Sequence, residues 1–229
     1  MGKEPALRTT RLLLLCGAIG PVLFVIAFLI EGATRPGYDA VRTTISTLSW
    51  GDQGWMQIGA FLLFGVLTLA FAVGIARALG GGIAVVAAAV LLGVAGAGLI
   101  VAGLFLTDPI FGYPPTPPGY VAPSLHGTIH NLASLIIFLA IPAACLVLTP
   151  RLGRDPGGRG WALFSAVSGV VMLLLLAWFF QSVTAETHAA GAGPHIAGLA
   201  ERAVSLVGCG WLLLFALKLT RASQRGRPQ

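Results

Sequence analysis

The sequence predicts an all-α fold, a polytopic bundle of six transmembrane helices with room for a short interfacial helix in its first outer loop. Three observations carry that expectation. Only 10% of the residues are charged and 56% are hydrophobic, whereas a soluble domain clothes itself with roughly 25% charge. Six apolar stretches are each long enough to cross a hydrocarbon core, which takes about 20 helical residues. Basic residues collect at alternate connections, as positive-inside topology requires. With no recurring motif or polar linker, the expected unit is a single six-helix membrane domain over residues 1–229.

The expected spans are 12–30, 55–76, 82–106, 125–149, 161–183 and 196–219. They should be helices, because only a structure that satisfies its own backbone can face lipid. Lys3, Arg8 and Arg11 precede the first span as in a secretory signal, but the apolar run is longer than a signal's core and reads as a retained anchor. The second and third spans are joined by Gly80, Gly81 and Gly82, and the fourth and fifth by a basic turn around Asp155-Pro156-Gly157-Gly158. The other three connections are longer.

Placing the amino terminus inside leaves only Arg35, Arg42 and Arg202 of the fourteen Lys and Arg residues on the far side. This predicts a multi-pass protein of the cell membrane with both termini cytoplasmic. The same choice puts Glu31, Asp39, Asp52, Asp108, Glu186 and Glu201 outside, along with His126, His130, His188 and His195. Chemistry, if any, belongs to the outer end. The excess of basic residues is thereby a matter of topology, and no Lys/Arg run with interleaved aromatics points to nucleic acid. Cys16, Cys145 and Cys209 stand apart in apolar stretches and read as small core residues.

In the first outer connection, Arg35-Pro36-Gly37-Tyr38-Asp39 reads as a turn with Asp39 as a helix cap. Val41, Ile45 and Leu48 follow at helical spacing, so a short amphipathic helix lying at the membrane surface fits, with Arg42, Ser46 and Ser49 on its polar side. Trp50 and Trp55 suit the headgroup level. The segment is read either as an interfacial anchor or as a contact for a ligand headgroup.

The second connection, from Thr107-Asp108-Pro109 through Tyr113-Pro114-Pro115-Thr116-Pro117-Pro118-Gly119 to Pro123-Ser124, is proline-rich and reads as a stiff cap over the bundle. Ser124 is placed to cap the fourth helix, and His126, His130 and Ser134 then recur every four residues, a polar stripe expected to face the interior. Three readings of the histidines stay open. They hydrogen-bond neighbouring helices and loop carbonyls, they ligate a divalent metal such as zinc with Asp108 and His195, or with Glu201, or they serve a proton-linked or general-base role. The Glu of an HExxH motif is missing, since Gly127 follows His126.

The uncharged run from Ala203 to Leu217 is shorter than the roughly 20 residues a span needs, so the sixth helix must carry Glu201 and Arg202 at or below the interface. Neighbours on a helix point about 100° apart. Each therefore needs a partner elsewhere: Asp39 or Asp108 for Arg202, and a histidine or Arg42 for Glu201. Ala89, Gly93 and Ala97 on the third helix, and Gly17 with Gly20 on the first, are read as close helix contacts, within the chain or in a homo-oligomer.

Gly20-Pro21-Val22-Leu23-Phe24, Arg35-Pro36-Gly37-Tyr38-Asp39, Ile45-Ser46-Thr47-Leu48-Ser49, Gly54-Trp55, Thr107-Asp108-Pro109, His126-Gly127, His130 and Gly198-Leu199-Ala200-Glu201-Arg202 follow one another in an order that covers nearly the whole chain. In this the chain resembles the bacterial membrane family catalogued as domain of unknown function 998. The resemblance implies a six-helix membrane protein and no assigned reaction. Pro123-Ser124-Leu125-His126 is also similar to the Pro-Ser-Gly-His element of lipid phosphatases, but their other motifs are missing.

The sequence thus predicts a polar pocket at the non-cytoplasmic face, built from Arg35, Tyr38, Asp39, Arg42, Ser46, Asp108, His126, His130, Glu201 and Arg202. It would bind or transport a small molecule or a lipid headgroup. The alternative is a metal-dependent membrane hydrolase acting on lipid, with Asp108, His126, His130 and His195 as ligands and Glu201 as base.

Overall fold

The computed structural model describes residues 3–116, 118–188 and 195–225; Pro117, Arg227 and the His188 side chain lie outside the described residues. Six helices follow one another: α1 (Lys3–Thr34), α2 (Gly54–Leu79), α3 (Ile83–Leu104), α4 (Leu125–Gly153), α5 (Arg159–His188) and α6 (Ala197–Arg225). All six are long and apolar enough to cross a membrane. All but α3, which falls inside its expected span, overrun theirs, because a helix has no reason to stop where hydrocarbon does, provided a cap or turn ends it further out. No strand forms among the described residues, only a single antiparallel bridge between Ile110 and Tyr113.

Each helix packs on its neighbours in sequence and α6 closes against α1, so the six form a ring. Its inside holds the aromatic core, with Phe24 stacked on Phe64 at 5.1 Å and tilted against Phe61 at 5.3 Å, and Trp211 stacked on Phe215 at 5.0 Å. Its outside exposes Leu12, Ile26, Val66, Val90, Leu132, Val167, Leu174 and Leu206 on successive helices. An apolar belt that encircles the molecule is stable only in lipid.

A close crossing joins α2 and α3 at Gly65 and Gly96, where a Cβ on either would stand 2.7 or 2.9 Å from the other's carbonyl oxygen. Within the chain the contact expected through Ala89, Gly93 and Ala97 does not form: Gly93 faces open space and Ala97 is exposed, while Ala88, Leu92, Ala95 and Leu99 point inward. Gly17 and Gly20 do lie against α2, at Phe71 and Phe64. Cys145 and Cys209 are buried, Cys16 is partly so, and none is in a disulfide.

The first connection contains a short helix, but it is a 3-10 turn at Ile45–Ser49 with all five residues buried. It packs against α1, α2 and α6 instead of lying on the membrane surface. The reason is polar: Leu48 and Trp50 give their carbonyls to a buried arginine, which pulls the segment into the mouth of the ring. Trp55, by contrast, is 70% exposed, as an interfacial anchor should be.

Candidate functional site

At the end of the ring that carries the three longer connections, arginines hold the loops by their carbonyls. Arg35, one turn beyond Glu31 on the same helical face, donates to its carboxylate at 2.8 Å and to the Leu48 and Trp50 carbonyls at 3.0 and 2.6 Å. The i,i+4 spacing was the signal for this pair, although Glu31 was not singled out as a site residue. Near it Gln57 is wholly buried, and neither end of its amide finds a partner among the described residues.

Arg202 works the same way from α6. It donates to the carbonyls of Thr43 at 2.9 Å and Gly198 at 3.0 Å and to the Tyr38 hydroxyl, and its guanidinium lies over the Tyr38 and Phe28 rings at 5.5 and 5.9 Å. Burial pushes the Tyr38 phenol up to about 12 against the lowering effect of Arg202. It therefore keeps its proton and donates to the Thr44 carbonyl at 2.9 Å. The first N–H groups of α6 are satisfied too, since Gly198 and Leu199 donate to the carbonyls of Arg42 and Val41. That docking needs a glycine, because a Cβ at Gly198 would stand 2.3 Å from the Thr43 oxygen. Arg202 thus pairs with neither Asp39 nor Asp108. Asp39 instead closes its own turn, accepting from the Val41 N–H at 2.9 Å.

Asp108 organises the second connection. Its carboxylate accepts from the Ser124 hydroxyl at 2.6 Å, the Ser124 N–H at 3.1 Å and the Tyr120 hydroxyl. Partial burial raises its pKa, but these hydrogen bonds outweigh it and hold the carboxyl below its usual range. Ser124 in turn caps α4 as expected, accepting from the Gly127 N–H at 2.9 Å. Gly127 is flush against the acid, for a Cβ there would lie 2.3 Å from the Asp108 carboxyl.

The two histidines of α4 part company. His130 is buried, with Nδ1 at 2.9 and 2.8 Å from the carbonyls of Ala102 and Phe105, the otherwise orphaned C-terminus of α3. Both partners are acceptors, so Nδ1 carries the proton and Nε2 is left as an acceptor. His126 is exposed in the first turn of α4, where no neighbouring helix covers it, and lies against Phe105 at 5.2 Å. The expected inward stripe therefore starts at His130. Arg42, Glu186 and His195 form a separate cluster, with the Glu186 carboxylate 2.5 Å from Arg42 and 2.9 Å from His195.

Two cavities open inside this framework. The deeper, of about 60 Å³, lies on the axis of the ring, where all six helices contribute side chains, among them Phe24, Phe61, Phe64, Leu99, Ile141 and Met172. The second, of about 230 Å³, lies nearer the connections and is walled by Thr44, Thr107, His130, Asn131, Phe179, Phe180 and Val183. They share Ser46, Ser134, Phe138 and Glu201. Asn131 and Phe180 are exposed, so the second cavity reaches the surface between α4 and α5. Glu201 is 7% exposed, and its Oε2 accepts from the Ile45 N–H at 2.5 Å. Its Oε1 has no hydrogen bond among the described residues, and neither a histidine nor Arg42 pairs with it.

Of the residues expected at a site, Ser46, His130 and Glu201 meet at these cavities. Arg35, Tyr38, Asp39, Arg42, Asp108 and Arg202 are spent on holding loops and helix ends, and His126 faces outward. Thr44, Asn131 and Phe138 carried no signal beyond their place on the chain. The four residues expected as metal ligands, Asp108, His126, His130 and His195, are not brought together, and no three His, Cys, Asp or Glu side chains among the described residues are placed to hold one ion. The polar atoms of Asp108, His130 and His195 are engaged separately, with Ser124 and Tyr120, with α3 carbonyls and with Glu186.

The family model described as Protein of unknown function (DUF998) matches residues 18–218. The chain belongs to that family. The match runs from within α1 almost to the end of α6, so both cavities and the arginine-held loops fall inside the DUF998 region. No curated protein and no solved structure matches the chain. The family's description assigns no reaction or ligand, and the six-helix fold is read from this chain's own structure.

Proposed function

We propose that this DUF998 protein binds an amphipathic small molecule or lipid, with the polar end among Glu201, His130, Ser46 and Ser134 and the apolar part in the axis of the ring. One observation carries the reading: a cavity with polar groups at a surface mouth meets an apolar chamber at a buried carboxylate whose second oxygen has no partner among the described residues. Ligand sites have this character, mostly apolar walls with a few convergent polar groups. A mouth between α4 and α5 serves a ligand that arrives from the membrane.

The test fills the junction. In phosphatidylcholine nanodiscs, with protein-free discs subtracted, labelled octanol should bind the wild type saturably and bind Ser134→Phe at least about tenfold more weakly, the aromatic ring replacing the volume where the cavities join. Equal binding to both proteins, or none to the wild type, would overturn the reading.

We also propose that both termini face the cytoplasm. An even number of spans puts the two termini on one side, and Arg77, Arg151, Arg154, Arg159, Lys218 and Arg221 all belong to that end. Tags at either terminus should resist external protease in intact cells, and digestion of either tag refutes the orientation.

A further inference from the structure

We propose that the ligand of this crevice carries a cationic, alkylammonium head, an inference that rests on the binding reading above and adds the sign of the charge. Among the described residues that wall the two cavities, Glu201 is the only Asp, Glu, Lys or Arg. Arg202, its neighbour in sequence, is turned away and bound to Thr43, Gly198 and Tyr38. His130 offers the cavity an acceptor, because its Nδ1 proton is already given to the end of α3. Beside aliphatic side chains, the walls of the same two cavities carry aromatic rings: Phe138, Phe179 and Phe180 toward the mouth, and Phe24, Phe61 and Phe64 in the chamber.

A carboxylate in a cavity that also carries aromatic rings is the chemistry that recognises an ammonium group, through charge pairing and cation–π attraction strengthened by desolvation. A buried carboxylate also costs free energy until something positive reaches it. An alkylammonium would donate to the open Oε1 and to His130 Nε2 while its chain lies in the chamber. A phosphate or sulfate head would face Glu201 at short range with no Lys or Arg among the wall residues to receive it.

Three probes with one chain separate the possibilities: octylamine, octanol and octyl sulfate, each bound to the protein in phosphatidylcholine nanodiscs at neutral pH. In the wild type octylamine should bind about tenfold more tightly than octanol, and octyl sulfate most weakly. Glu201→Gln, whose amide oxygen can still accept from Ile45, should bring octylamine down to the level of octanol on the same variant. Asn131→Lys, at an exposed position, should weaken octylamine and strengthen octyl sulfate without touching the buried network. Because each result is a ratio between probes on one protein, a poorly accumulating variant still gives an answer. Octylamine and octanol binding the wild type equally, or a preference for octylamine that survives Glu201→Gln, would overturn the charge assignment and leave the crevice standing. Failure of all three probes to bind would remove both.

Discussion

Glu201 and Arg202 are adjacent on α6, both buried, and opposite in what they do. Arg202 spends its guanidinium on two carbonyls, a phenol and two aromatic faces. Glu201 commits one oxygen to the Ile45 N–H and leaves the other at the meeting of two cavities. A turn of about 100° between neighbours on a helix accounts for the split. A buried polar group whose bonds are all made inside the protein belongs to the scaffold, and one with bonding capacity left over at a cavity is where a ligand gains something. The same contrast separates Asp108, ringed by Ser124 and Tyr120, from His130, which keeps one nitrogen for the crevice.

The largest effect that can break this comparison is on the scaffold side. Arg202→Ala should lower stability by about 3 kcal/mol, because it strands the Thr43 carbonyl and takes both its partner and its cover from Tyr38. Arg202→Lys should recover less than half of that, since an ammonium cannot reproduce the fork that reaches Thr43 and Tyr38 together. Thermal unfolding of the purified protein in detergent, followed by tryptophan fluorescence, reads both. If Arg202→Ala unfolds like the wild type and loses octylamine binding instead, the division of labour is reversed.

A smaller loss is expected where α4 begins. A Cβ at Gly127 would meet the Asp108 carboxyl at 2.3 Å, so Gly127→Ala must push that carboxyl out of its bonds with Ser124 and loosen the cap. The expected cost is about 1–2 kcal/mol, the range of a lost helix cap. The same melt should show it, with the octanol affinity unchanged because neither residue walls a cavity. A destabilised protein that also loses octanol binding would mean that the cap positions the crevice.

Much of this was legible in the sequence because it rests on local rules. Span length, basic connections, the Ser124 cap and the need of Glu201 and Arg202 for partners elsewhere follow from composition, spacing and helix geometry. The partners themselves did not follow, because backbone carbonyls have no sequence signature and a buried arginine satisfied by Thr43 and Gly198 looks, on paper, like one in search of an acid. The first connection was misjudged for the same reason. Val41, Ile45 and Leu48 fit a surface helix equally well, and only Arg35, by drawing in the Leu48 and Trp50 carbonyls, turns the segment inward. The His126, His130 and Ser134 spacing placed three side chains on one stripe, but how far the neighbouring helices rise decides that His126 emerges and His130 does not.

The smallest expected effect concerns acid. Asp108 is held below the usual carboxylate range by bonds that exist only in the folded protein, and a group whose pKa is lowered on folding contributes stability above its unfolded value, about 3.9, and loses it as pH falls through the folded one. The cap formed by Asp108, Ser124 and Gly127 should therefore be unchanged from neutral pH down to about 5 and loosen only below about 4. Since Asp108 is partly exposed, solvent screens the effect, and it should register locally, as faster hydrogen exchange at the Ser124 and Gly127 amides, before it registers in a melt. Asp108→Asn cannot titrate and should remove the acid dependence at those amides. Loosening that starts near pH 6, or that persists in Asp108→Asn, would assign the pH response to another group, and Asp108 would lose its place as the charged centre of the second connection.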